Sequence, residues 1–131
     1  MKIVSSETGV VSIPREEGPL TGGMGNNAEF VTIKIRTEDG IEGIGYSGFA
    51  SSVMLKALKE SVDALLGQIV GKDPRCVENI NNWLRELAGG GAPSGLVTRT
   101  ISGIDVALWD IKGKSAGEPL HRLLGGYRDK V

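Results

Sequence analysis

The sequence predicts an α+β fold, a three-stranded antiparallel β-meander followed by a bundle of three helices. Three observations carry that expectation. Val31, Ile33 and Ile35 alternate with Thr32, Lys34 and Arg36, the period of a half-buried strand. Asp39-Gly40 is a two-residue hairpin signal that returns the chain through Ile41, Ile44 and Tyr46. In the later part of the chain the apolar residues recur every three or four positions, the period of an amphipathic helix.

Taken in order, Lys2 to Ile13 is β-prone and supplies the first strand. Residues 14–27, PREEGPLTGGMGNN, hold four glycines, two prolines and two asparagines, so they form an unusually long loop. The hairpin around Asp39-Gly40 completes the meander. Ser51 or Ser52 caps the first helix, in which Met54, Leu58, Val62, Leu65 and Ile69 make the apolar stripe. Asp73-Pro74 starts the second helix, through a side-chain cap and a residue preset for the first turn. Val77, Ile80, Leu84 and Leu87 line its buried face. Gly89 to Gly95 is a flexible connector.

The third helix is the most informative segment. Val97, Ile101, Ile104, Leu108 and Ile111 give it one apolar face, and Asp110 and Lys114 stand one turn apart where they can pair. Asp105 sits partly on the buried side and needs a hydrogen-bond partner there. Pro119 ends the pattern. A short apolar turn through Leu120, Leu123 and Leu124 follows, closed by Gly125-Gly126.

Bulk properties narrow the function. The 131 residues suit one domain, and fifteen Lys and Arg against sixteen Asp and Glu leave it nearly neutral. Without a basic block or a long apolar run, neither nucleic acid nor a membrane is an expected partner. Cys76 is alone, which rules out an internal disulfide and fits a reducing cytoplasm; it reads as a small, partly buried thiol. Gly43-Ile44-Gly45-Tyr46-Ser47-Gly48 matches G-x-G-x-x-G, but it lies in the hairpin's second strand and its exit. That placement reads as tight backbone packing rather than a phosphate cradle. Gly113-Lys114-Ser115 falls at a helix C-terminus, whose dipole has the wrong sign for phosphate. His121, the only histidine, reads as a solvent-facing or packing residue.

The stretch from Thr98 to Gly126 resembles the N-terminal motif of the mandelate racemase/muconate lactonizing enzyme branch of the enolase superfamily. The matching residues are Ser102-Gly103-Ile104-Asp105, Ala107-Leu108, Asp110-Ile111, Gly113-Lys114, Pro119-Leu120 and Leu123-Leu124-Gly125. Thr100 departs from the pattern, where the family usually carries Ala.

The resemblance implies an enolase N-terminal-like capping and substrate-specificity domain over residues 1–126. Residues 127–131 would then lead into the first strand of a modified TIM barrel, which carries the Mg2+ ligands and the acid–base groups. Such a barrel needs ~250 residues of its own, so it is absent from this sequence, and no catalytic or metal-ligating residue is expected here. The implied reaction is proton abstraction α to a carboxylate, in an acid-sugar dehydratase or a 2-hydroxy acid racemase, with a cycloisomerase or dipeptide epimerase as alternatives. In the family, loops equivalent to 14–27 and to Ser47-Gly48-Phe49-Ala50-Ser51 close over the barrel mouth and contact substrate. The candidate substrate-binding residues are therefore Leu20, Met24 and Phe49 as apolar contacts, and Thr21, Tyr46 and Ser47 as hydrogen-bonding ones. The expected partners are a small carboxylic acid, the catalytic barrel and further copies of the chain in a homo-oligomer. A non-catalytic interaction or oligomerisation domain is the reading from a different class.

Overall fold

The computed structural model describes residues 1–14, 27–48, 52–89 and 95–127. Three strands, β1 (Ile3–Pro14), β2 (Asn27–Thr37) and β3 (Glu42–Gly48), pair antiparallel in the order β1-β2-β3. Among the described residues four α-helices follow, α1 (Leu55–Gly67), α2 (Val77–Leu87), α3 (Leu96–Ala116) and a single turn, α4 (Leu120–Leu123). The meander followed by three principal helices is the α+β plan that the sequence predicts.

One face of the sheet is buried. Val31, Ile33 and Ile35 of β2 are fully enclosed, as the alternation requires, and helix residues such as Leu58, Val62, Ile80, Leu84, Ile104 and Leu108 complete a single core. Each such side chain contributes roughly 1.5–3 kcal/mol by leaving water. In β3 the inward positions are not large residues but Gly43, Gly45 and Ser47, while Ile44 and Tyr46 face outward. That inversion is what lets α3 lie directly on the strand.

Five residues of α3, spaced three or four apart, run along β3. A Cβ on Gly45 would stand 2.2 Å from the Gly103 carbonyl oxygen, and one on Gly43 would stand 2.2 Å from that of Ala107. Asp110 Oδ2 accepts the Ile44 backbone N–H at 2.8 Å and a Lys114 Nζ proton at 2.7 Å. Lys114 also donates to the Glu42 carbonyl at 2.7 Å, and Arg99 Nη1 donates to that of Gly48. Arg99, Gly103, Ala107, Asp110 and Lys114 thus cover the outer edge of β3, whose unpaired backbone groups otherwise invite another strand. The predicted Asp110–Lys114 pair exists, and its purpose is strand capping. Asp105 has the partner it needed, Asn81 Nδ2 at 3.0 Å, with Arg85 holding the other end of that amide at 2.7 Å. Thr100 is buried with its hydroxyl 2.9 Å from the Leu96 carbonyl and 2.9 Å from Ser61 Oγ, which satisfies the polar atom that distinguishes it from Ala.

Several local expectations need correction. The hairpin loop has three residues, Glu38 to Gly40, rather than two. Thr37 N–H donates to the Ile41 carbonyl, Gly40 N–H donates to that of Thr37, and Gly40 adopts φ 81°. That is a turn closed by a left-handed glycine. The N-cap of α1 is Met54, whose side chain makes no capping hydrogen bond, at the end of a 3₁₀ turn over Ser52–Met54; Ser51 and the Ser52 side chain lie outside the described residues. The buried stripe of α1 runs through Leu55, Leu58, Val62 and Leu66, with Leu65 packing partly buried beside it because residues three and four along a helix fall on either side of one face; Met54 is exposed instead. Asp73-Pro74 makes a turn instead of starting α2, which begins at Val77. Asp73 spends its carboxylate on Arg75, accepting from its backbone N–H at 3.0 Å and from its guanidinium at 2.6 Å. Leu87 and Cys76 are exposed rather than buried, the first on the last turn of α2 and the second at its N-cap. Gly117, with φ 68°, ends α3 in a left-handed cap that the sequence pattern alone did not single out.

Candidate functional site

Antiparallel pairing sends two long-loop anchors to the same end of the sheet. Pro14 pairs with Asn27, and three residues along β2 Phe30 pairs with Gly48. Residues 15–26 therefore leave from the pole where residue 49 follows β3. The N-terminus of α3 reaches the same pole, since Ser47 Oγ donates to the Arg99 carbonyl at 2.8 Å. The hairpin at Glu38 to Gly40 marks the opposite pole. Segments 14–27 and 47–51, and the Gly95 end of segment 89–95, thus attach to one end of the fold.

At that end, Tyr46, Ser47, Gly95, Thr98, Arg99, Ser102 and Val106 line an open cleft of about 640 Å³. Of the predicted substrate-binding residues, Tyr46 and Ser47 belong to this cleft. As successive strand residues they point to opposite faces. Ser47 is 8% exposed and its hydroxyl is committed to α3, whereas Tyr46 is 62% exposed, its ring meeting Phe30 edge-on at 5.8 Å. Leu20, Thr21, Met24 and Phe49 lie outside the described residues. Thr98 Oγ1 and Glu29 Oε2 are buried without a hydrogen-bond partner among the described residues. Each is a polar atom of the kind that a neighbouring group or ligand satisfies.

Sequence reasoning missed Thr98, Arg99 and Ser102 as members of this end. The signal was present in one respect, because Arg99 precedes Gly103 by one turn on the face that Asp110 and Lys114 share.

Among the described residues no three His, Cys, Asp or Glu side chains gather around a point where a cation could sit. Nor does any described helix have the length and apolarity to cross a membrane. Of the glycines in the G-x-G-x-x-G match, Gly43 and Gly45 pack against α3 backbone and Gly48 against Phe30 and the Glu29 carbonyl of β2, the tight packing that their place in the hairpin implied.

A family profile for the mandelate racemase/muconate lactonizing enzyme N-terminal domain matches residues 6–125. L-talarate/galactarate dehydratase from Salmonella typhimurium is 35% identical over 101 residues, which make up 77% of this chain and 25% of that protein. A D-galactonate dehydratase family member from Pseudarthrobacter chlorophenolicus is 39% identical over 129 residues, 96% of this chain and 27% of the relative. Among solved structures, L-talarate dehydratase from Polaromonas sp. JS666, complexed with Mg and L-glucarate, superposes with a TM-score of 0.85 at 28% identity. That match covers 99% of this chain and 34% of the other. The chain spans about a quarter of the length of these curated relatives. With the profile matched over residues 6–125 and the fold shared with these structures, the chain belongs to the mandelate racemase/muconate lactonizing enzyme family and matches its N-terminal domain.

Proposed function

We propose that residues 1–126 are the capping and substrate-specificity domain of a magnesium-dependent enzyme that abstracts a proton α to a carboxylate, and that its reaction is the dehydration of an acid sugar. In this reading residues 127–131 lead into the catalytic barrel. The observation that carries it is the common pole: segments 15–26 and 49–51 depart from one end of the sheet, beside the cleft at Arg99. Two loops springing from one end of a rigid platform can close over a neighbouring mouth together. Closure excludes water and strengthens electrostatic interactions at the reacting carbon. The names of the relatives, dehydratases of talarate, galactarate and galactonate, support an acid sugar as the substrate class.

In this reading the metal, its ligands and the acid–base groups belong to the barrel. The role left to this chain is selection and enclosure of the substrate. The test is to assay the protein carrying this domain with Mg2+ against a panel of acid sugars. Elimination of water between the α and β carbons gives an enol that becomes a 2-keto acid, which a carbonyl reagent detects. Exchange of the α proton for deuterium with no keto acid formed would point instead to a 2-hydroxy acid racemase. Absence of both reactions across the panel would remove the acid-sugar reading.

A second reading is favoured by the outer face of the sheet, where Val11, Ile13, Ile44 and Tyr46 are all exposed beside Phe30. A clustered apolar surface of this kind suits an interaction or homo-oligomer contact in a cytoplasmic protein. Sedimentation of the purified chain as a monomer at all concentrations would count against it.

A further inference from the structure

We propose that the open edge of β1 is an interaction surface for a second copy of this chain, whose own β1 pairs with it antiparallel so that one sheet runs through both copies. The fold treats its two sheet edges differently. The β3 edge is covered by α3. On the β1 edge only the first residue is used: Ile3 N–H donates to the Lys72 carbonyl at 3.0 Å, and the Ile3 carbonyl accepts from Gly71 N–H at 2.9 Å. Beyond Ile3, among the described residues, no backbone group from outside the sheet bonds β1. Such an edge presents a row of unpaired donors and acceptors that another strand can satisfy.

The strand also lacks the devices that guard an edge. Between the bulge at Ile3/Ser5 and Pro14 it carries no lysine, arginine or proline, and Glu7 is its one charge. Its exposed apolar residues show what fits. Val10 pairs with buried Val31 and so stands on the helix-facing side, while Val11 and Ile13, opposite Phe30 and Ala28, stand on the outer side. All three are exposed. A partner laid on one face of the sheet would cover one set only, whereas a strand added at the edge flanks both. The occupant is a second copy because β1 is complementary to itself. Pairing about a two-fold axis at Val10 keeps every side chain beside others of its own face and sets Val10 against its symmetry mate. Glu7 then falls opposite Ile13, so no like charges meet across the seam. The neighbouring helix offers no electrostatic obstacle. The Thr8 hydroxyl ties α1 to β1 by donating to Asp63, and the Lys56–Glu60 and Lys59–Asp63 pairs leave that helix face neutral.

The test uses the 131-residue chain with Cys76→Ser, which removes the exposed native thiol. Val10→Cys in that background is expected to oxidise to a disulfide-linked dimer, since opposed residues of an antiparallel pair have Cα atoms about 4.5–5.5 Å apart, within disulfide reach. Ile44→Cys, exposed on the outer face of β3, is expected to remain unlinked. Without either cysteine the chain should sediment as a dimer, and amide exchange from Ser6 to Ile13 should slow ~10-fold between dilute and concentrated solutions. Val10→Lys should abolish both effects while the circular dichroism stays that of the native fold. Linkage through Ile44→Cys with none through Val10→Cys overturns edge pairing in favour of contact between outer faces. A monomer at every concentration, or a dimer that Val10→Lys leaves intact, overturns it as well. So does protection of the β1 amides that is independent of concentration, which would mean that the edge is covered within one chain. None of these outcomes touches the capping reading, which the sugar assay decides separately.

Discussion

Gly45 of β3 and Gly103 of α3 meet so closely that a methyl group on Gly45 would stand 2.2 Å from the Gly103 carbonyl oxygen and 3.0 Å from the Ala107 nitrogen. Both obstacles are backbone, and neither can rotate aside as a side chain could. Gly45→Ala therefore forces the helix off the strand and is expected to lower stability by more than ~2 kcal/mol, as overpacking of a close contact does. Gly67→Ala is the matched control. It lies at the last position of α1, where an added methyl would have nothing within 4 Å, and the same substitution there should stabilise by ~0.5–1 kcal/mol. Chemical denaturation of both variants checks the pair, and a neutral Gly45→Ala would mean that α3 does not bear on β3 at this distance.

Leu108 occupies the centre of the long helix and is 1% exposed. Truncation to Ala removes apolar atoms from a position that its neighbours cannot collapse to fill. The expected loss is ~2–5 kcal/mol, read as a fall in the denaturant midpoint with an unchanged slope.

How much of this could be read beforehand follows from where the information lies. The buried face of α3 was legible because Ile101, Ile104, Leu108 and Ile111 repeat at a single helical period over three turns. The same holds for Val31, Ile33 and Ile35, whose alternation admits one facing only. In α1, by contrast, Leu65 and Leu66 are both apolar, so periodicity alone could not choose between them. Asp73-Pro74 misled for a different reason. An Asp before Pro satisfies the rules for a helix cap and for a turn equally, and only the nearby Arg75 guanidinium, held at 2.6 Å, decides between them. Of the candidate site, the two anchoring strands were visible, but Arg99 was not. Its bond to the Gly48 carbonyl spans 51 residues of sequence, and no local pattern encodes that distance.

The Asp73–Arg75 pair also sets a pH response. The Arg75 guanidinium and its backbone N–H hold the Asp73 carboxyl at about 2, against an ordinary 3.8. A carboxyl depressed in the folded chain contributes its stabilisation in full above the unfolded value. That contribution fades as pH falls from 3.8 toward 2. Asp63 adds in the same direction: burial alone would raise it, but hydrogen bonds from Lys59 and Thr8 hold it below its ordinary value. Carboxyl-detected NMR titration should place the Asp73 midpoint near 2. Arg75→Gln should move that midpoint upward, and Asp73→Asn should flatten the stability profile across the same interval. A midpoint that ignores the Arg75 substitution would show that the guanidinium is not the cause.

Tyr46 separates the two roles that a residue at this pole can play. Its side chain projects from the outer face, 62% exposed, and the loss of its edge-on contact with Phe30 is a small stability term. Tyr46→Ala should therefore leave Tm nearly unchanged. If the pole faces substrate, however, the substitution removes a hydroxyl that only a bound acid sugar would use, and KM or the order of preferred sugars should shift. Met24→Ala and Phe49→Ala, on the segments that leave the same pole, carry the same expectation: altered preference with nearly intact stability. The decisive measurement is kcat/KM for each variant across the sugar panel. Parallel values for all three variants and the unsubstituted protein would mean that these side chains do not meet the ligand, whereas a change in the ranking of sugars with a constant Tm places selection at this end of the domain.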